Sequence, residues 1–183
     1  MVPAEHELVA SAVGRLGCRF IAQYEGLDRQ LRAAFSDARF AFLEALGCAK
    51  NGNYLASAVM CRETIEGIIY LVLLHRVNAQ GQPFIHPDDL REFSETEIHW
   101  NRLRQRALDR NYVDQATLTA MEQIRKLGNF AAHNGEQIMR GIAGGIQTPY
   151  RISISPEEAY HSLNVVREFI LTVIEKWVGA EQN

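Results

Sequence analysis

The 183-residue sequence has few of the residues that punctuate chains: 13 Gly and 5 Pro together make about a tenth of it, slightly below the usual roughly 12%. This excludes a collagen-like repeat or a Pro/Gly-rich disordered tract and argues against a many-turned small-strand protein. Cysteine is scarce as well. Cys18, Cys48 and Cys61 are odd in number, scattered and never in C-x-x-C spacing, so neither a disulfide framework nor a zinc ribbon is signalled, and a reducing cytoplasm fits. No strong charge of one sign exists: 19 Lys and Arg against 22 Asp and Glu give −3, which leaves no global basic field for nucleic acid, so any such role must be local. The longest apolar run, Ile68 to Leu74, is far short of the roughly 20 residues that cross a bilayer. Glu5 and Glu7 stand where a signal peptide needs positive charge, so a cytoplasmic protein without a membrane partner is expected. What is present, 47% hydrophobic and 22% charged residues, suits one sizeable core.

Helical periodicity dominates. Leu8, Ala12, Leu16 and Phe20 recur at helical spacing, which reads as an N-terminal helical extension over residues 1–26. Leu27, Leu31, Ala34, Phe35, Ala38, Phe42, Ala45 and Leu46 predict one amphipathic helix from 27 to 50, stopped by the turn-forming Asn51-Gly52. A third helix is expected from Asn53 to about Val77. Its second half is apolar nearly all round apart from Glu66, which marks it as the central, most buried helix. Residues 78–98, with Gly81, Pro83 and Pro87, read as a long ordered loop. A short Arg-rich helix over 99–109 comes next, then a helix capped by Asp114 and running towards His133. The glycines at 141, 144 and 145 turn residues 138–154 into an insert that fits a small β-hairpin or a loop. The last helix has the clearest start, with Ser155 as N-cap, Pro156 at its first position and Glu158 three residues after the cap. The fold class is therefore all-α, a bundle of five to six helices with a small hairpin allowed for in the insert, and the main domain spans 27–183.

Arg125, Asn129 and His133 lie at i, i+4 and i+8, so they share one helix face. Gly128, Ala131 and Ala132 beside them are small enough to admit another backbone. On the central helix Arg62 precedes Glu66 at i, i+4, the less favourable order, so Glu66 is expected to answer a charge on another helix, for instance Arg125. Two uses suit these residues. In a catalytic one, His133 does acid/base work on a ribose hydroxyl, Arg125 meets phosphorane charge and Asn129 orients either group. In a structural one, Glu66 pairs with Arg125 while Asn129 and His133 bond to backbone or neighbouring helices. Arg102, Arg106 and Arg110 form a second stripe, which suits a local nucleic-acid phosphate track or a solvated face balanced by Glu92, Glu95, Glu97 and Asp109. Glu158 and His161 make one E-x-x-H without a second, so no metal site is expected. No phosphate-loop motif or other cofactor signature is present.

The string Ala58-Val59-Met60-Cys61-Arg62-Glu63-Thr64-Ile65-Glu66, then Ile124-Arg125-Lys126-Leu127-Gly128-Asn129-Phe130-Ala131-Ala132-His133, then Ser155-Pro156-Glu157-Glu158-Ala159 resembles the bacterial domain-of-unknown-function family 4145. That family is grouped with the HEPN superfamily of helical nucleotide-binding and ribonuclease domains. The resemblance covers about Asn53 to Trp177. It implies a HEPN-like helical bundle, frequently a homodimer, in a bacterial defence, toxin or restriction setting, with RNA or a nucleotide, or a restriction or defence protein, as partner. It also implies metal-independent RNA cleavage for active members, with His133, Arg125, Asn129 and Glu66 as the candidate catalytic set. Active HEPN ribonucleases carry an Arg four to six residues before the His, commonly followed by a polar residue. Here Asn129 and His133 match, but Gly128 holds the Arg position and Arg125 sits one turn earlier. The alternative function is a non-catalytic interaction or scaffold domain whose Arg/Asn/His stripe is structural.

Overall fold

The computed structural model describes residues 2–27, 29–77, 83–85, 100–143 and 153–181. Within them the chain forms α1 (Val2–Glu25), α2 (Arg29–Ala34), α3 (Ser36–Lys50), α4 (Tyr54–Leu74), β1 (His75–Val77), β2 (Pro83–Ile85), α5 (Trp100–Asp109), α6 (Gln115–Ala143) and α7 (Pro156–Glu181). The architecture is all-α, with seven helices among the described residues and one short antiparallel ribbon. No described helix is long and apolar enough to cross a membrane.

Local chemistry sets the helix ends. After α3, Gly52 adopts φ 77°, while its N–H donates to the Ala49 carbonyl and the Asn53 N–H to that of Cys48. These two bonds make a Schellman stop. Asn53 then accepts from the Ala56 N–H and starts α4. The end of α5 repeats the device with Asn111 at φ 57°, Asn111 and Tyr112 donating to the carbonyls of Leu108 and Ala107. Asp114 caps α6 by accepting from the Thr117 N–H at 2.7 Å, and this bond above all holds its carboxyl below the usual value. At the start of α7 the Glu158 N–H donates to Ser155 Oγ and the Ser155 N–H to Glu158 Oε2, 3.2 and 2.9 Å, a reciprocal capping box.

Four expectations are corrected. The single helix over 27–50 breaks at Phe35, which sits at φ −98°, ψ 16°. Tyr24 donates its hydroxyl to the Arg32 carbonyl, the acceptor that a continuous helix offers to residue 36. The central helix stops at Leu74 and the chain enters β1, paired with β2 in the register His75↔Ile85, Arg76↔Phe84, Val77↔Pro83. Pro83 takes the end of the ladder, where a missing N–H is tolerated. The hairpin thus lies at the edge of the 78–98 loop. In the 138–154 insert, residues 138–143 continue α6, since one Gly at 141 costs only about 1 kcal/mol in a long helix. The rest of that loop, at 78–82 and 86–98, and residues 144–152 of the insert lie outside the described residues. Finally, α1 is no appendage. Val13, Leu16, Phe20 and Tyr24 are buried in the same core as α3, α4 and α7, and Phe20 meets Phe42 edge-on at 4.6 Å.

Helix α4 runs through the middle of that core, with Cys61, Ile65, Ile68, Ile69 and Val72 fully buried. Trp177 closes the floor from α7, edge-on to Phe35 at 5.4 Å. Between α4 and α6 the backbones nearly touch. A Cβ placed on Gly128 would stand 2.5 Å from Arg62 Cβ and 2.9 Å from the Ala58 carbonyl oxygen, so only glycine admits this crossing.

Candidate functional site

The Gly128 crossing brings the two halves of the polar string face to face. Arg62, from α4, donates to Asn129 Oδ1 at 3.0 Å and to Glu63 Oε1 at 2.7 Å. Its Nε lies 3.5 Å from Glu66 Oε1. The same carboxylate oxygen accepts from Arg125 Nε at 3.1 Å. One oxygen of Glu66 therefore serves two guanidiniums, and the charge of Glu66 is answered across helices as well as within its own. Arg125 also lies over the Trp100 ring, 5.1 Å from its centroid, a cation–π contact. Trp100 in turn donates its indole N–H to Glu122 Oε2 at 2.7 Å, and Arg104 reaches the same oxygen at 4.0 Å.

Three guanidiniums (Arg62, Arg104, Arg125) and three carboxylates (Glu63, Glu66, Glu122) balance in this network. The side chains of Arg62, Glu66 and Arg125 keep only 20–26% of their surface exposed. Such a half-buried, mutually bonded cluster resists separation of α4, α5 and α6, because removing any one partner leaves another desolvated.

His133 lies further along the same helix. It is exposed, and eight residues of helix place it about 12 Å along α6 from Arg125. The structure therefore brings Glu66, Arg125 and Asn129 into one network, with Arg62 between Glu66 and Asn129, and leaves His133 at the solvent end of the stripe. Of the second stripe, Arg106 is half-buried and Arg110 exposed. Arg110 donates to the Leu73 carbonyl at 3.4 Å, where a cation suits the C-terminal end of α4. The side chain of Arg102 lies outside the described residues.

Nucleophilic and metal chemistry find little here. Burial pushes the Cys61 thiol up to about 12 against an opposing hydrogen bond from Ser57, so it holds no thiolate near neutrality. Glu158 is engaged in its capping box, and among the described residues no group of three or more His, Cys, Asp or Glu could hold a metal ion.

Sequence reasoning left Arg62, Trp100 and Glu122 out of the candidate site. Arg62 was visible as a charge on the central helix, but its reach to Asn129 depends on the glycine crossing. Trp100 and Glu122 sit on different helices and share no spacing that would pair them. Compared with known protein families, with curated proteins and with solved structures, the chain matches none.

Proposed function

We propose that the chain is a HEPN-like helical domain that works as a non-catalytic interaction module in a bacterial defence or restriction setting. The observation that carries this reading is the use of Arg125 inside the protomer: its guanidinium is held by Glu66 and stacked on Trp100. An arginine so occupied has to break a half-buried ion pair before it can meet phosphate charge. Arg62, the nearest other guanidinium, is shared among Asn129, Glu63 and Glu66. The HEPN-like assignment draws support from the contact between the two parts of the string that carry the resemblance, Ala58 to Glu66 and Ile124 to His133. The test is direct. Wild-type protein incubated with single-stranded and structured RNA in chelator is expected to leave both intact, and metal-independent cleavage abolished by His133→Ala would overturn the proposal.

One observation favours a second reading, in which the domain is RNA-directed and completes its site in a homodimer. His133 and Ala132 are both exposed on α6, so a partner copy has room to bring its own arginine to the histidine. In that case, mixing an Arg125→Ala chain with a His133→Ala chain restores part of the RNA cleavage that each lacks. Failure of the mixture, together with an inactive wild type, removes this reading.

A further inference from the structure

Helix α6 has another face, turned towards α7, and there the packing is open. Two cavities of about 380 and 330 Å³ lie end to end between the helices and meet at the exposed His161. The helices run antiparallel: Ala116 and Ala120 lie at the level of Val165 and Phe169, while Ile124 and Leu127 lie at the level of Glu158 and Ser162. Together the cavities form one groove.

Part of its polar lining is spent within α7. Ser162 donates to the Glu158 carbonyl, Asn164 to that of Tyr160, and Glu158 holds the helix cap. What remains towards a ligand is a mainly apolar floor, the neutral side chains of Thr117, Gln123 and Thr172, His161 at the middle, and an exposed carboxylate near each end, Glu157 and Glu168. These two acids stand eleven residues apart in the sequence, which is about 16 Å of helix and within about 20° of one face. Among the described residues Glu168, itself largely exposed, pairs with the half-buried Arg167 at 2.8 Å, while Arg167 also donates to Gln23 Oε1; with the carboxylate in water this contact is worth little.

We propose that this groove docks a short amphipathic helix of a partner protein, about three turns long, with apolar residues on one face and a Lys or Arg near each end. The length follows from the spacing of the carboxylates and the charge from their sign. Recognition of this kind uses i, i+3/i+4 and i+7 anchors in an apolar groove, and matched charges at the rim select the partner. The proposal deepens the interaction-module reading and rests on it. Phosphate of a nucleic acid is disfavoured at this groove by the same two carboxylates.

Two helix-constrained peptides of about three turns test it, sharing three Leu on one face and differing only in bearing Lys or Glu at both ends. In fluorescence anisotropy the Lys peptide is expected to bind about tenfold more tightly than the Glu peptide, the scale of two rim ion pairs. It should shift the backbone amide resonances of residues 116–127 and 157–172. The double variant Glu157→Lys with Glu168→Lys is expected to reverse the ranking, and Ala120→Trp to abolish binding of either peptide while the circular dichroism spectrum stays helical. Should Ala120→Trp disturb the fold, the charge-reversal variant still decides. Equal affinity of the two peptides, indifference to the charge reversal, or no binding of either overturns the docking proposal. Such failure is separate from that of the interaction-module reading, which falls only if the protein cleaves RNA.

Discussion

The two faces of α6 use small residues to opposite ends. Towards α4, Gly128 lets backbone meet backbone, and the flanking polar side chains interlock as Arg62 with Asn129 and Glu66 with Arg125. Towards α7, Ala116 and Ala120 line a space that no other described residue fills, and a groove results. A small residue signals close approach only when another element supplies an atom to approach. The first face is closed by charge and contact, while the second is held open by helices anchored elsewhere, α7 by its buried Leu163, Val166, Ile170 and Trp177.

The contrast can be broken most severely at the crossing. Gly128→Leu should destabilise the protein by about 3 kcal/mol, since overpacking against a neighbouring backbone is relieved only by moving a helix. A loss under about 0.5 kcal/mol in urea denaturation would mean that α4 and α6 slide freely. Next in size is Glu66→Ala, for which we expect a loss of about 2 kcal/mol. That is below the roughly 3–5 kcal/mol of a fully buried pair, because the side chains remain partly hydrated and Arg125 keeps its Trp100 stack. Retention of wild-type stability would show that the shared carboxylate contributes nothing. The smallest effect belongs to the open face: Ala120→Leu should change stability by less than about 0.5 kcal/mol in either direction, because the added atoms enter a cavity. If it costs as much as Gly128→Leu, the groove is closed in solution.

Much of this was legible from local chemistry. The caps at Asp114 and Ser155 were readable because a cap is written within four residues of itself, and the central position of α4 followed from its apolar second half. Glu66 was recognisable as a residue in need of a distant partner, since one acid on an apolar helix must be answered somewhere. Three features were not readable. The break at Phe35 depends on a hydroxyl from another helix, Tyr24, so the periodicity across it is uninterrupted. The ribbon of β1 and β2 is too short for alternation to stand out, and the glycine at 141 hid the continuation of α6 to Ala143. Arg62 was misjudged because its in-helix order with Glu66 is a poor one for an isolated helix, whereas in the fold it reaches Asn129 as well.

The burial of α1 has a consequence for how this domain can be cut. The span covered by the family resemblance starts at about Asn53, and a fragment begun at Leu27 would retain every residue of the polar network. It would nevertheless lose Phe20, Leu16, Val13 and Tyr24 and leave Phe42 without its aromatic neighbour. Tyr24's bond to the Arg32 carbonyl would go too, and with it the device that ends α2. The first helix is thus part of the folding unit, and the motif-bearing half cannot be moved to another protein without it.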